Sequence, residues 1–176
     1  MQLKNFPYFS QLDNVQNPSG SCNVTAIAMC LHYLGIRPKD SRQQLEDELY
    51  VKCDRSGWSR HDPLGLKRVA ESYEGIKDDF TTAGTLDAIR GALIAGKPCV
   101  IHGYFTRSGH IIAIKGFTET GLIVNDPYGE WFESGYDTDV SGNGLHYSYE
   151  MITRLCSPES AALPRNIWLH CLSQIT

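Results

Sequence analysis

A chain of 176 residues is long enough for one well-buried core and short for two, so a single domain over residues 1–176 is expected. With 41% apolar and 20% charged residues it has the balance of a soluble globule rather than of a disordered or membrane-embedded chain. The net charge of -4 is mild and its lysines and arginines are scattered, which argues against nucleic acid as a partner.

The first residues, Met1-Gln2-Leu3-Lys4-Asn5-Phe6-Pro7, offer no apolar stretch and no small-residue cleavage site of a secretory signal. No run approaches the length of a membrane span. The expectation is a protein that is cytoplasmic as synthesised, without a membrane partner, and that would reach a cell wall only if another agent releases it.

From Cys22 to Leu34 the apolar positions Val24, Ile27, Ala28, Leu31 and Leu34 recur with helical period, and Gly35 is placed to end the helix. A second helix is expected after Ser41, with Gln44 completing a capping box, to about Val51. A third fits Pro63 to Tyr73, with Pro63 in the first turn and Gly75 beyond the end. A fourth fits Leu86 to Ala95 after Thr85 as N-cap, stopped by Gly96 and Pro98. The period then changes to that of strands at Cys99 to Phe105, His110 to Phe117 and Leu122 to Asp126. Another strand is expected near Leu145 to Tyr149, and an apolar segment lies around Ile167 to Leu172. The stretches Asp54 to Pro63 and Gly129 to Gly144 read as loops. Helices followed by antiparallel strands predict an α+β fold.

Six cysteines stand at 22, 30, 53, 99, 156 and 171 with no C-x-x-C pair, and most read as buried free thiols. Cys22 is different. The flexible turn Pro18-Ser19-Gly20-Ser21 delivers it to the first turn of a helix, where unpaired N–H groups favour a thiolate. His110 opens one expected strand and Asp126 closes the next. Their separation is even, so a hairpin with a three-residue loop at 117 to 119 sets 110 opposite 126, 112 opposite 124 and 114 opposite 122, all on one face. A four-residue loop with a bulge at Gly121 is the alternative. A carboxylate beside an imidazole fixes its tautomer, as a nucleophile's base requires. Alternation sends Asn125 to the other face, and Asn-Asp-Pro is also turn chemistry. Histidines 32, 61, 102, 146 and 170 show no metal spacing and read as structural or surface residues.

The stretch Tyr8-Phe-Ser-Gln-Leu-Asp-Asn through Ser21-Cys-Asn-Val-Thr-Ala-Ile-Ala-Met to Tyr33-Leu-Gly resembles the nucleophile region of C39-like peptidases, within the papain-like cysteine peptidase superfamily. Gly109-His-Ile-Ile-Ala-Ile-Lys-Gly-Phe through Gly121-Leu-Ile-Val-Asn-Asp-Pro-Tyr-Gly resembles that family's histidine and aspartate hairpin. The resemblance implies a papain-like fold in which N-terminal helices, the Cys helix among them, pack on a C-terminal antiparallel sheet. It implies Cys22 as nucleophile, His110 as base and then acid, Asp126 as orienter and Gln11 as oxyanion donor beside the Cys22 N–H. It also implies amide hydrolysis through a thioester, with no cofactor and no metal. The substrate expected is a peptide or a peptidoglycan stem peptide, as for a lysin-like endopeptidase. The alternatives are an intracellular peptidase of the Gly-Gly processing type, an acyltransferase of transglutaminase-like kind and a catalytically silent peptide binder.

Two further features stay open in the sequence. Asp137-Thr-Asp139-Val-Ser141-Gly142-Asn143-Gly144 matches the first half of an EF-hand loop, but its twelfth position is Ser148 and its flanks read as strand, which favours a polar hairpin turn. Tyr128, Trp131, Phe132 and Tyr136 are either aromatic walls of a cleft or packing under a long loop, and Trp58 is equally open.

Overall fold

The helix beginning at Cys22 forms as α1, Cys22–Tyr33, in the computed structural model, which describes residues 1–157 and 166–175. Residues Asn23 to Leu31 of this helix are all buried, so it is surrounded by protein rather than laid on a surface. Each large apolar side chain that it removes from water contributes about 1.5–3 kcal/mol. Gly35 follows with φ +93, the left-handed conformation that ends a helix without cost to glycine.

Helix α2 is Leu45–Ser56, which corrects both expected ends. Asp40 closes a turn over Ser41, its carboxylate accepting from the Arg42 N–H and its carbonyl from the Gln43 N–H, so the helix starts only after Gln44. It continues past Val51 until Gly57, at φ +67, stops it. Helix α3 is Pro63–Glu71, with the Asp62 carboxylate accepting from the Leu64 N–H. Two short strands absent from the sequence reading follow, β1 (Ile76–Asp78) and β2 (Thr81–Gly84), and then α4 (Leu86–Ile94), capped by Thr85 as expected.

The strands β3 (Cys99–Gly103), β4 (His110–Phe117), β5 (Gly121–Asn125) and β8 (Asn143–Ser148) build the sheet together with β9 (Ile167–Gln174). The pairings are antiparallel, in the order β1-β9-β3-β4-β5-β8, and β2 also pairs with β9. Within the stretch expected to be a loop, β6 (Glu130–Phe132) and β7 (Gly135–Asp137) form a small separate hairpin. Helix α5, Tyr149–Cys156, follows β8 directly, with the Ser148 hydroxyl accepting from the Met151 N–H. Helix α1 packs on β4 and β3, and α5 packs on β3, β8 and β5. The fold is α+β, with helices packed on an antiparallel sheet.

The register of the β4–β5 hairpin differs from the expected one. Phe117 pairs with Leu122 across a four-residue turn, Ile114 pairs with Val124, and the extra residue on β4 between Ile114 and Gly116 is Lys115, not Gly121. Relative to the expectation Asp126 has moved by two residues, an even step that keeps it on the His110 face but makes their contact diagonal.

Candidate active site

The nucleophile candidate stands at the first position of α1, and the turn before it is tied down from three sides. Asn14 donates to the Ser21 hydroxyl at 2.7 Å and to the Thr25 hydroxyl at 2.9 Å. The Asp47 carboxylate on α2 accepts from the backbone N–H groups of Val15 and Gln16. Arg60 lies over the Tyr50 ring and donates to the Gly20 carbonyl at 2.6 Å. The Ser21 hydroxyl therefore receives a side-chain bond instead of capping the helix.

His110 and Asp126 meet at 2.8 Å through Nε2 and Oδ1. Asp126 is completely buried, and each of its oxygens has two partners. Oδ1 faces His110 and accepts from the Tyr128 N–H at 3.0 Å, so the turn reading and the orienter reading of this aspartate hold together. Oδ2 accepts from the Tyr136 hydroxyl at 2.8 Å and the Tyr147 hydroxyl at 3.1 Å. Burial and the Asp126 carboxylate push both phenols far above their ordinary range, which keeps them as donors. Asn125 faces away, donating to the Pro7 carbonyl and accepting from the Gly144 N–H.

Nε2 is committed to Asp126, which leaves the other ring nitrogen of His110 for the Cys22 thiol. Burial drives the Cys22 pKa upward, but the His110 charge, the hydrogen bond to it and the Ile111 N–H outweigh burial and leave the thiol below its ordinary 9.0. For His110, burial acts downward and is overcome by Asp126 and Cys22, which raise it to about 10. Both shifts run in the direction that favours a thiolate beside an imidazolium over the neutral pair. Cys22 and His110 open on a cleft of about 640 Å³ whose other walls include His61, His102, Tyr104 and Trp168.

Gln11 is buried in a short 3-10 turn, Gln11–Asp13, that the sequence did not announce. Its backbone N–H donates to Pro127, next to Asp126, and its side-chain amide donates to the Pro18 carbonyl at 2.9 Å, in the turn that leads to Cys22. It thus links both arms of the site. No hydrogen bond among the described residues joins it to Cys22 itself.

Residues 3–157 match the family model described as the peptidase C39 like family. The chain belongs to the C39-like peptidase family. Among solved structures, a C39-like peptidase from Bacillus anthracis superposes with a TM-score of 0.68, at 16% identity over 99% of this chain and 98% of the other. A double glycine motif protease from an AMS/PCAT transporter, solved with its leader peptide, gives 0.57 at 19% identity over 98% and 94%. No curated protein matches. Membership supports a function of the cysteine-peptidase type, and the helices on an antiparallel sheet agree with C39-like architecture generally.

Other residues around the candidate site carried little sequence signal. The partners Tyr136 and Tyr147 lie ten and twenty-one residues beyond Asp126, too far for local pattern to tie them to it. Of the open aromatic cluster, Tyr136 supports the carboxylate, Trp131 donates to the Phe105 carbonyl, and Phe132 is exposed. The EF-hand-like stretch connects β7 to β8, and its side chains close local turns, Asp137 accepting from the Asp139 N–H and Ser141 from the Asn143 N–H. Among the described residues no three His, Cys, Asp or Glu side chains are grouped to hold a metal, and no helix is long and apolar enough to cross a membrane.

That connection instead buttresses Asp126. The Asp126 N–H donates to the Gly142 carbonyl, and the Gly142 N–H to the Tyr8 hydroxyl. A Cβ at Gly142 would run into the Asp126 carbonyl. Gly142→Ala is expected to cost about 1–3 kcal/mol of stability, as overpacking does, and to raise the pH at which the Cys22 thiol ionises. Thermal unfolding and the pH profile of alkylation measure both; an unchanged profile removes Gly142 from the support of the site.

Proposed function

We propose that the chain is one peptidase domain that cleaves a peptide amide through Cys22. The observation that carries this is a cleft lined by both Cys22 and a histidine that is held by a buried carboxylate whose oxygens all have partners. Cys22 attacks the scissile carbonyl, and the tetrahedral oxyanion is held by the Cys22 N–H and the second N–H of the Gln11 amide. The first N–H of that amide is anchored on Pro18, which supports this placement. His110 then gives its proton to the leaving amine, leaving a thioester on Cys22. The same imidazole takes a proton from the water that hydrolyses it.

For the substrate, processing of peptides after paired glycines is favoured over the peptidoglycan endopeptidase reading, because a leader-peptide protease is among the similar folds. The chemistry is common to both, so products decide. Incubation with a peptide library carrying Gly-Gly at varied positions, and in parallel with purified peptidoglycan, is expected to yield fragments ending in Gly-Gly by mass spectrometry. Released muropeptides with no cleaved library peptide would reverse the order of the two readings.

A further inference from the structure

Strand β9 brings together two cysteines that the proposed reaction does not use. Cys99 opens β3, and Cys171 stands directly opposite it on β9. Both backbone groups of Cys171 are taken on its other side, the N–H donating to the Asp79 carbonyl and the carbonyl accepting from the Asp79 N–H, while the Leu172 N–H donates to Pro98. Cys99 and Cys171 therefore form a non-hydrogen-bonded cross-strand pair, the kind whose Cα atoms lie about 4.5 Å apart and whose side chains are nearest. A disulfide spans Cα separations of about 4.4–6.8 Å, so the backbone is already within its reach. The sulfurs stand at 3.7 Å, in contact but unbonded, on residues 72 apart in the chain. Alternation sends the neighbouring His170 to the opposite face, where it meets Asp78 at 2.6 Å and His102 at 3.0 Å, so that polar chain does not come between the sulfurs.

The two thiols are not equivalent. Cys99 is completely buried and Cys171 only half-buried, so a reagent from solvent meets Cys171 first. The Cys99 hydrogen has two acceptors at 3.7 Å, the Lys97 carbonyl and the Cys171 sulfur. Donation to Cys171 favours a thiolate there and, with the Lys97 charge, outweighs burial and the Asp78 and Asp79 carboxylates, leaving Cys171 lowered while Cys99 is raised. A more accessible, more acidic thiol beside a buried one is the arrangement of an oxidation site with its resolving cysteine. The Cys30 thiol donates to the Cys99 carbonyl at 3.8 Å, and among the described residues no other two sulfurs are in contact.

We infer that Cys99 and Cys171 are a disulfide site closed by a peroxide, with Cys171 as the entry thiol and Cys99 as the resolving thiol. The Cys171 thiolate attacks one oxygen of hydrogen peroxide; the O–O bond breaks, hydroxide leaves and takes up the proton that the thiol gave, and Cys171 becomes a sulfenic acid. The Cys99 sulfur then attacks the Cys171 sulfur, the S–O bond breaks, and the hydroxyl departs with the Cys99 proton as water. Two thiols and one peroxide give one disulfide and two waters, the peroxide being reduced by the two electrons that the sulfurs lose. Closure moves the sulfurs from 3.7 Å to about 2.0 Å and staples β9 to β3. The staple lies at the end of β3 away from the cleft, since Gly103 at the other end pairs with His110. Neither thiol belongs to the proposed peptide-cleaving site. A reducing compartment keeps the pair as thiols, and an oxidising one closes it.

The test oxidises the full chain carrying Cys22→Ala with hydrogen peroxide, so that the nucleophile candidate does not compete for the reagent. The intact mass is expected to fall by two hydrogens, and non-reducing peptide mapping to join the Cys99 peptide to the Cys171 peptide. The melting temperature is expected to rise by about 5–10 °C, the scale of a disulfide that closes a long loop, and to fall back on reduction. With Cys99→Ser added, oxidation should stop at a sulfenic acid on Cys171, captured by dimedone. Retention of all thiols, a bond between any other two cysteines, or a melting temperature that does not rise overturns the site. Dimedone capture on Cys99 in Cys171→Ser, with none on Cys171 in Cys99→Ser, overturns the order of the two thiols. The mapping needs neither serine variant, so it decides the site even where one of them does not fold.

Discussion

Cys22→Ala is expected to lower amide hydrolysis by at least about 10⁴-fold, the scale on which removal of a nucleophile acts, and to leave the melting temperature nearly unchanged. Half-buried Cys22 at the first position of α1 takes part in little of the core, and alanine is the best helix former. Labelling by iodoacetamide offers a sharper reading than turnover, since it needs no substrate. The wild-type thiol should react at lower pH than an ordinary thiol, because its pKa lies under the ordinary 9.0, and the reactive form is the ion pair between that lowered pKa and the histidine's raised value near 10. The signs for folding follow from the same shifts. The part contributed by His110 is complete below its ordinary 6.5 and is lost as pH rises through about 10. The part contributed by Cys22 is complete above 9.0 and is lost as pH falls through the lowered thiol value. Of the other thiols, Cys30, Cys53, Cys99 and Cys156 are buried and raised, but Cys171 is half-buried and lowered by its contact with Cys99 at 3.7 Å. Residual labelling of Cys22→Ala should therefore map to Cys171 by mass spectrometry. Turnover that persists in Cys22→Ala rejects the mechanism.

What the sequence disclosed and what it withheld divide along physical lines. Helix α1 was legible because a long apolar period with Gly35 after it has few competing solutions. The face shared by His110 and Asp126 was legible because strand parity survives any even slip, and the slip that occurred was even. The bulge itself was not: Lys115 opposes no residue, yet nothing local distinguishes it from a paired position. The strands β1, β2, β6 and β7 have three or four residues each, fewer than a period-2 pattern needs to stand out. Helix α5 was hidden because β8 turns into it at Ser148 with no glycine or proline between. Histidines 102 and 170 were read as structural or surface residues because their spacing fits no metal. Their link to Asp78 runs across three strands and is visible only in the fold.

Asp126→Asn is the second large effect, and its cause is a proton rather than a shape. The Tyr136 and Tyr147 hydroxyls can still donate to the amide oxygen, so the side chain is held nearly as before. The amide nitrogen then occupies the place of Oδ1 and donates to His110 Nε2, where the carboxylate accepted. Nε2 must now offer its lone pair, and the proton of neutral His110 moves to Nδ1, facing the thiol that it should deprotonate. A base in the wrong tautomer costs about 10⁴-fold in kcat. Loss of the negative charge relieves Cys22 of its direct repulsion by Asp126, the smallest influence on the thiol, but it also removes the first upward influence on the His110 pKa, so the imidazolium no longer persists toward pH 10 and on balance Cys22 ionises later. The alkylation profile should accordingly shift to higher pH, while an unfolding transition close to that of wild type shows that the site still stands. If kcat and the profile both stay at wild-type values, Asp126 does not orient His110, and its burial among four donors is structural alone.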